Sequence, residues 1–471
     1  MSSITSVFHQ KVETKLIDIE KRRSNGGLKK SLDDFATLIN EITVFLEEST
    51  EEKVDEEGEE EEEYLTFELI RMRSMSAYQL ALTSLQTKNS TIADSYLYKL
   101  GFLTRLSSDI FNYDSLSETA KSIPSTSSPL AVVSDILHPD LFKSAKAAFS
   151  EFSSFWTYHS YPTTTFFSYN LPLKSPKKTL VSELVRVIYE ALTPKFPVLR
   201  KAKSAEFWAH GRTGEGQHQF HYDLDEVALA EGKLRSPIVS CVLYLECDGV
   251  NNPTLICNKR INGEDDNTGW VCFPEENRLV AFPGELLHSV VPGIPRKGGG
   301  RRTTFMVGFW DEVNCSEAGG AGGAGGAGGA GGAGGAGGAG GAGRAGGAGE
   351  DSLGPNMRFN NGDELEWAKE MKVNTGEMDL GRVKDEDIWR IEKVWEGVKE
   401  GDEDDFEEYH DADVGFTGRF FLRTEGADEI DVEVLRGMGG AGDTKNNKND
   451  ALESESESDS EGRSSKKSKK C

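Results

Sequence analysis

Residues 205–246 read AEFWAHGRTGEGQHQFHYDLDEVALAEGKLRSPIVSCVLYLE, and this stretch decides the fold. β-Branched and aromatic residues come in short runs separated by turn-forming Gly, Ser and Pro, a texture that suits half-buried strands rather than helices. The same texture continues to Trp310. Eight runs can be counted: Ala205–Arg212, His218–Glu226, Ile238–Glu246, Pro253–Lys259, Gly269–Pro274, Arg278–Gly284, Leu287–Gly293 and Arg302–Trp310. Eight short antiparallel strands suit a jelly-roll or cupin-like double-stranded β-helix, which manages its edges by folding into two facing sheets.

Working outward, the N-terminal side has a different period. Leu32, Phe35, Leu38, Ile39, Ile42, Phe45 and Leu46 share one helical face, and residues 65–85 and 91–106 keep helix-like spacing. Residues 1–130 are therefore expected to be mostly helical, interrupted by an acidic loop at 47–63 whose like charges repel and have nothing apolar to bury. The β domain is expected over 131–314. A Gly-Gly-Ala repeat within 315–350 has no side chain larger than a methyl except Arg344, so it reads as a flexible linker. An acidic α/β segment is expected at 351–436, with helices at Glu364–Lys372 and Glu386–Val398 and paired strands at Arg419–Arg423 and Ile430–Leu435. Residues 437–471 have the composition of a disordered tail. The fold class is α+β.

Composition narrows the function. A formal net charge of -26 over 471 residues opposes sequence-independent nucleic-acid binding and anionic membrane surfaces, both of which need clustered Lys and Arg. No apolar run approaches the ~20 residues of a bilayer span. The six cysteines show no Cys-x-x-Cys pairing and read as reduced structural thiols. These features fit an intracellular protein, cytoplasmic or nuclear.

His221 and Asp223 stand two apart in an expected strand, so both side chains leave the same face and can grip one ion. His288 lies on a later strand and can supply a second imidazole. Two imidazoles and a carboxylate are what a non-haem iron(II) site requires, with its remaining positions left open. His-x-Asp alone is weak, since His138-Pro139-Asp140 repeats it at an expected helix start, where Pro suits the first position. Beyond His288 come Arg301 and Arg302. Alternation that puts Arg302, Thr304, Met306 and Gly308 inward sends Phe305, Val307 and Phe309 outward onto covering helices, which favours Arg302 as the inward cation while leaving Arg301 open. A planar guanidinium there could bind a carboxylate by two charge-assisted hydrogen bonds. The same parity places Ser240, Val242 and Tyr244 on one face. His210 and His218 are read as loop or supporting residues, and Trp208, Trp270 and Trp310 as core aromatics.

His221-Tyr222-Asp223, Val242-Leu243-Tyr244-Leu245, Asn252-Pro253-Thr254, Arg278-Leu279-Val280-Ala281-Phe282, His288-Ser289-Val290-Val291-Pro292 and Arg302-Thr303-Thr304 together resemble the motif series of the iron(II)- and 2-oxoglutarate-dependent oxygenases, whose best-known branch is the prolyl hydroxylases. The likeness covers roughly residues 131–314 and departs in the longer, Gly-rich stretch before Arg302. It implies that His221, Asp223 and His288 hold Fe(II), and that Arg302 and Tyr244 receive the distal carboxylate of 2-oxoglutarate. It also implies O2 as cosubstrate, ascorbate as an optional cofactor, and oxidative decarboxylation to succinate coupled to hydroxylation of an unidentified substrate, with a protein side chain ahead of a small molecule. The competing reading is a non-catalytic, metal-holding scaffold, which would have no need of Arg302 and Tyr244.

Overall fold

The computed structural model describes residues 4–49, 59–112, 120–158, 167–174, 179–213, 218–225, 228–229, 231–248, 252–261, 263, 266–294, 300–312, 356–359, 384–399 and 420–423. Helices and largely antiparallel sheets build an α+β molecule around a β-sandwich. Four helices come first: α1 (Ile4–Ser24), α2 (Leu28–Ser49), α3 (Glu59–Gln86) and α4 (Ser90–Lys99).

The larger sheet has eight strands, in spatial order β13 (Asn356–Phe359), β4 (Phe167–Pro172), β5 (Ser204–Thr213), β12 (Arg301–Trp310), β7 (Val239–Asp248), β10 (Leu279–Phe282), β3 (Ala131–Ser134) and β14 (Lys384–Asp385). The facing sheet has six: β2 (Lys121–Pro124), β15 (Asp387–Ile391), β9 (Gly269–Cys272), β8 (Thr254–Arg260), β11 (Leu286–Val290) and β6 (His218–His221). Only the β13–β4 pair is parallel among the described strands. All eight runs expected from the sequence are strands, four in each sheet, with ends shifted by a few residues.

The alternation that marked these strands now divides three cores. Val239, Cys241, Leu243, Leu245, Phe305, Val307 and Phe309 leave the outer face of the larger sheet and pack under the helices Pro139–Ala148 and Leu180–Leu192. Phe220, Tyr222, Leu255, Val271 and Leu287 leave the outer face of the smaller sheet and meet α1–α4. Between the sheets lie Tyr244, Ile256, Trp270, Val280 and Phe282. The second His-x-Asp copy is, as expected, a helix start, with His138 as N-cap and Pro139 in the first turn.

Four expectations change. The helical spacing of 91–106 ends with α4 at Lys99, and Thr104–Leu106 is a strand that pairs with strands from the C-terminal segment. The acidic loop at 47–63 is helical at both ends: α2 runs through Ser49 and α3 begins at Glu59, leaving 50–58 outside the described residues. The helix expected at Glu386–Val398 is instead β15 followed by β16 (Trp395–Gly397). Its apolar residues have helical spacing, yet they serve two cores: Ile388 sits between the sheets, while Ile391, Val394 and Trp395 pack with the N-terminal helices. Tertiary context overrides local pattern because β15 fills the space between β2 and β9. Finally, the C-terminal segment is built into the body. β16 and β17 (Phe421–Leu422) flank β1 (Thr104–Leu106), where the buried Arg105 bonds Asp94 and Glu396. The expected helix Glu364–Lys372, strand Ile430–Leu435, linker 315–350 and tail 437–471 lie outside the described residues.

Candidate metal centre

β6 and β11 are neighbours in the smaller sheet, with His221 directly opposite His288. Both rings point between the sheets, their centroids 4.1 Å apart. Asp223, two residues past the end of β6, brings Oδ1 to 3.8 Å from His221 Nε2 and 3.7 Å from His288 Nε2. Among the described residues, this is the one cluster of three His, Cys, Asp or Glu side chains whose donor atoms converge.

Each donor is held by a second bond. Nδ1 of His221 lies 3.0 Å from the carbonyl of Gln219, and Nδ1 of His288 lies 3.0 Å from that of Leu286. A carbonyl only accepts, so each Nδ1 carries the proton and each Nε2 presents a lone pair to the cavity. Ser240 on β7 donates to Asp223 Oδ2 at 2.6 Å, which leaves Oδ1 facing the imidazoles. Burial first, and His288 second, push the His221 imidazole down to about 4, so it is neutral at physiological pH, as a metal ligand must be. Ser240→Ala is expected to weaken divalent-metal binding about tenfold, the usual scale for losing a partner of a ligand. Metal titration checks this, and an unchanged affinity would assign Ser240 no orienting role.

Arg302 leaves β12 on the cavity side and is 4% exposed. Its Nη2 donates to Thr254 Oγ1 at 3.0 Å, and Thr254 Oγ1 lies 2.7 Å from the Tyr244 hydroxyl. The guanidinium carbon stands 5.2 Å over the Tyr244 ring, and Nε has no hydrogen-bond partner among the described residues. No carboxylate among them pairs with this cation. Arg301 goes the other way: its Nε lies 3.3 Å from Glu246 Oε2 and its guanidinium covers Trp156.

A β-bulge explains the division. On β7, Tyr244 pairs with Thr304 and Glu246 with Thr303, so Leu245 is the extra residue. One extra residue reverses the parity beyond it. Glu246 is thereby carried to the face of Arg301 and Thr303, and accepts from the Thr303 hydroxyl at 3.0 Å.

Trp208, His210, Arg212, His218, Ser289, Thr304 and Met306 line the same cavity. Trp270 and Trp310 are core residues, as expected, whereas Trp208 is a wall residue. The signal for β5 was available: Glu206, Trp208, His210 and Arg212 recur at period two against the small or apolar Ala205, Phe207 and Ala209. Glu206, deeper on that face, accepts from the Trp310 indole at 3.0 Å, and burial pushes its carboxyl up to about 7.

No family model matches the chain, and no curated protein matches it. Among solved structures, it is similar to a prolyl-4-hydroxylase from Pseudomonas putida, at 14% identity over 41% of this chain and 97% of that one, with a TM-score of 0.27. It is also similar to HygX from Streptomyces hygroscopicus, solved with nickel and 2-oxoglutarate bound, at 13% identity over 40% and 85% with a TM-score of 0.25. AviO1 from Streptomyces viridochromogenes Tue57 follows at 11% identity over 37% and 86%, with a TM-score of 0.23.

Proposed function

We propose that the chain is an Fe(II)- and 2-oxoglutarate-dependent oxygenase, with His221, Asp223 and His288 as the metal ligands and Arg302 as the anchor for the cosubstrate. The observation that carries this reading is the pairing of two features in one cavity. One is a set of two imidazoles and a carboxylate with lone pairs already turned toward each other. The other is a buried guanidinium without a carboxylate partner among the described residues. Two such imidazoles and one carboxylate are the donor set of non-haem iron(II) sites that keep positions open for cosubstrate and oxygen. The distribution of the eight central strands between two facing sheets supports the jelly-roll, double-stranded β-helix reading of the fold.

When bound, the iron would supply the redox chemistry that couples decarboxylation of 2-oxoglutarate to succinate with hydroxylation of a substrate. The protein's side chains orient and exclude. An unpaired buried cation is costly, and the distal carboxylate of 2-oxoglutarate would relieve that cost while fixing the cosubstrate's far end. Thr254 and Tyr244 complete the receptor with hydroxyls; burial raises the Tyr244 phenol far above its ordinary value, so it remains a donor. The preference for a protein side chain as substrate rests on the prolyl-hydroxylase resemblance alone.

Purified full-length protein supplied with iron(II), ascorbate and 2-oxoglutarate is expected to release succinate, and His288→Ala is expected to fall to background. Equal background from both proteins would overturn the oxygenase reading and favour a metal-holding scaffold.

A further inference from the structure

The proposed cosubstrate anchor does not account for all of the positive charge in the cavity. β12 pairs with β5 so that Arg302 stands directly opposite Arg212, and both side chains line the cavity. Directly opposed residues of an antiparallel pair have Cβ atoms roughly 5 Å apart, and like charges there repel. The two guanidiniums part company. Arg302 turns to Thr254 and Tyr244, whereas Arg212 Nη2 reaches His218 Nδ1 at 3.0 Å. The His218 ring in turn lies 4.5 Å from that of His221. Arg212 therefore sits on the metal side of the cavity.

The chemistry of this corner is one-sided. A guanidinium only donates, so His218 accepts at Nδ1 and its proton is on Nε2, making a second donor. Trp208, Val242 and Met306 supply apolar wall, while Thr304 and Ser289 supply hydroxyls. Asp223 is the one carboxylate among the described lining residues; Ser240 bonds its Oδ2, and its Oδ1 belongs to the donor set with His221 and His288. A group received here must bring its own acceptors and, next to paired arginines, its own negative charge.

Building on the oxygenase reading, we propose that Arg212, positioned by His218, is a second anion subsite that recognises a carboxylate on the substrate, distinct from the Arg302 anchor. The enzyme then hydroxylates an acidic molecule or an acidic side chain, held so that a carbon beside its carboxylate faces the metal.

The test uses full-length protein loaded with Mn(II) and saturated with 2-oxoglutarate, with paramagnetic broadening of probe proton signals as the readout. The probes are N-acetylglycinate with its neutral twin N-acetylglycinamide, and a blocked peptide carrying one glutamate with its glutamine twin. Broadening of an acidic probe well beyond its neutral twin is expected, and Arg212→Gln should weaken it about tenfold or more, the scale of one charge-assisted hydrogen bond. Whichever acidic probe is broadened identifies a free acid or an acidic side chain as the source. In that variant, 2-oxoglutarate itself should remain broadened, which reports an intact site. Four results overturn the proposal: acid and neutral twins alike; Arg212→Gln without effect; Arg212→Gln losing 2-oxoglutarate as well, which would assign Arg212 to the cosubstrate anchor; or the probe displacing 2-oxoglutarate. Failure of the wild type to broaden 2-oxoglutarate at all would instead strike at the oxygenase reading itself.

Discussion

A chain ended at residue 350 is expected to fail to fold into a soluble monomer, although every side chain of the metal centre is still present. The deletion removes β15 from between β2 and β9, and β16 and β17 from either side of β1. It also removes Ile388, Ile391, Val394, Trp395, Phe420, Phe421 and Leu422, each 5% exposed or less. Full burial of one such side chain is worth about 1.5–3 kcal/mol. Even discounted for a compact unfolded state, their sum is on the order of 10 kcal/mol, comparable with the whole stability of a domain. The loss bares the facing edges of β2 and β9, and an uncovered strand edge invites aggregation. Size exclusion and circular dichroism of the truncated chain, alone and with residues 351–471 supplied in trans, check this. A monomeric truncated protein melting within about 5 °C of the full chain would refute it.

Arg302→Met is expected to separate stability from function. Removing a buried charge that lacks a carboxylate partner should leave the metal-free protein at least as stable as before, since burying such an ion is itself costly. The cosubstrate, however, would lose two charge-assisted hydrogen bonds worth about 1.5–3 kcal/mol each. At 1.4 kcal/mol per tenfold, KM for 2-oxoglutarate should rise about a hundredfold or more. Arg301→Met is the control. It breaks contacts with Glu246, Thr303 and Trp156 on the face away from the cavity and should leave that KM nearly unchanged. Thermal melts and 2-oxoglutarate titrations of both variants decide. An Arg302→Met protein whose KM stays within about threefold of the wild type would remove Arg302 from the anchor.

Much of this arrangement was legible because strand parity is a local property. Short β-branched and aromatic runs between turns identified the eight central strands, and period-two alternation divided Ser240, Val242 and Tyr244 from Val239, Cys241, Leu243 and Leu245, as the cores show. His221 meets His288 by cross-strand pairing, whereas Asp223 lies past the end of β6, outside the strand alternation expected for it. What stayed hidden depends on long-range geometry. Nothing in the Leu245-Glu246 dipeptide announces a bulge; uninterrupted alternation would have aimed Glu246 into the cavity beside Arg302. The helical spacing of Ile388, Ile391 and Trp395 concealed a strand because its meaning depended on an edge supplied by β9, far back in the chain. The cavity face of β5 is a different case: Glu206, Trp208, His210 and Arg212 alternate in the sequence, but only the pairing with β12 turns that face toward the metal centre.

The position of β15 also bears on how the molecule is made. Strands β2 and β9 leave the ribosome well before the strand that joins them, and at about 5–20 residues per second the interval between Cys272 and Asp387 is on the order of ten seconds. Throughout that time the nascent smaller sheet is in two pieces with open flanks. Synthesis of residues 387–422 therefore closes the sandwich, so chaperone demand during synthesis should track their arrival rather than completion of the residues that line the cavity.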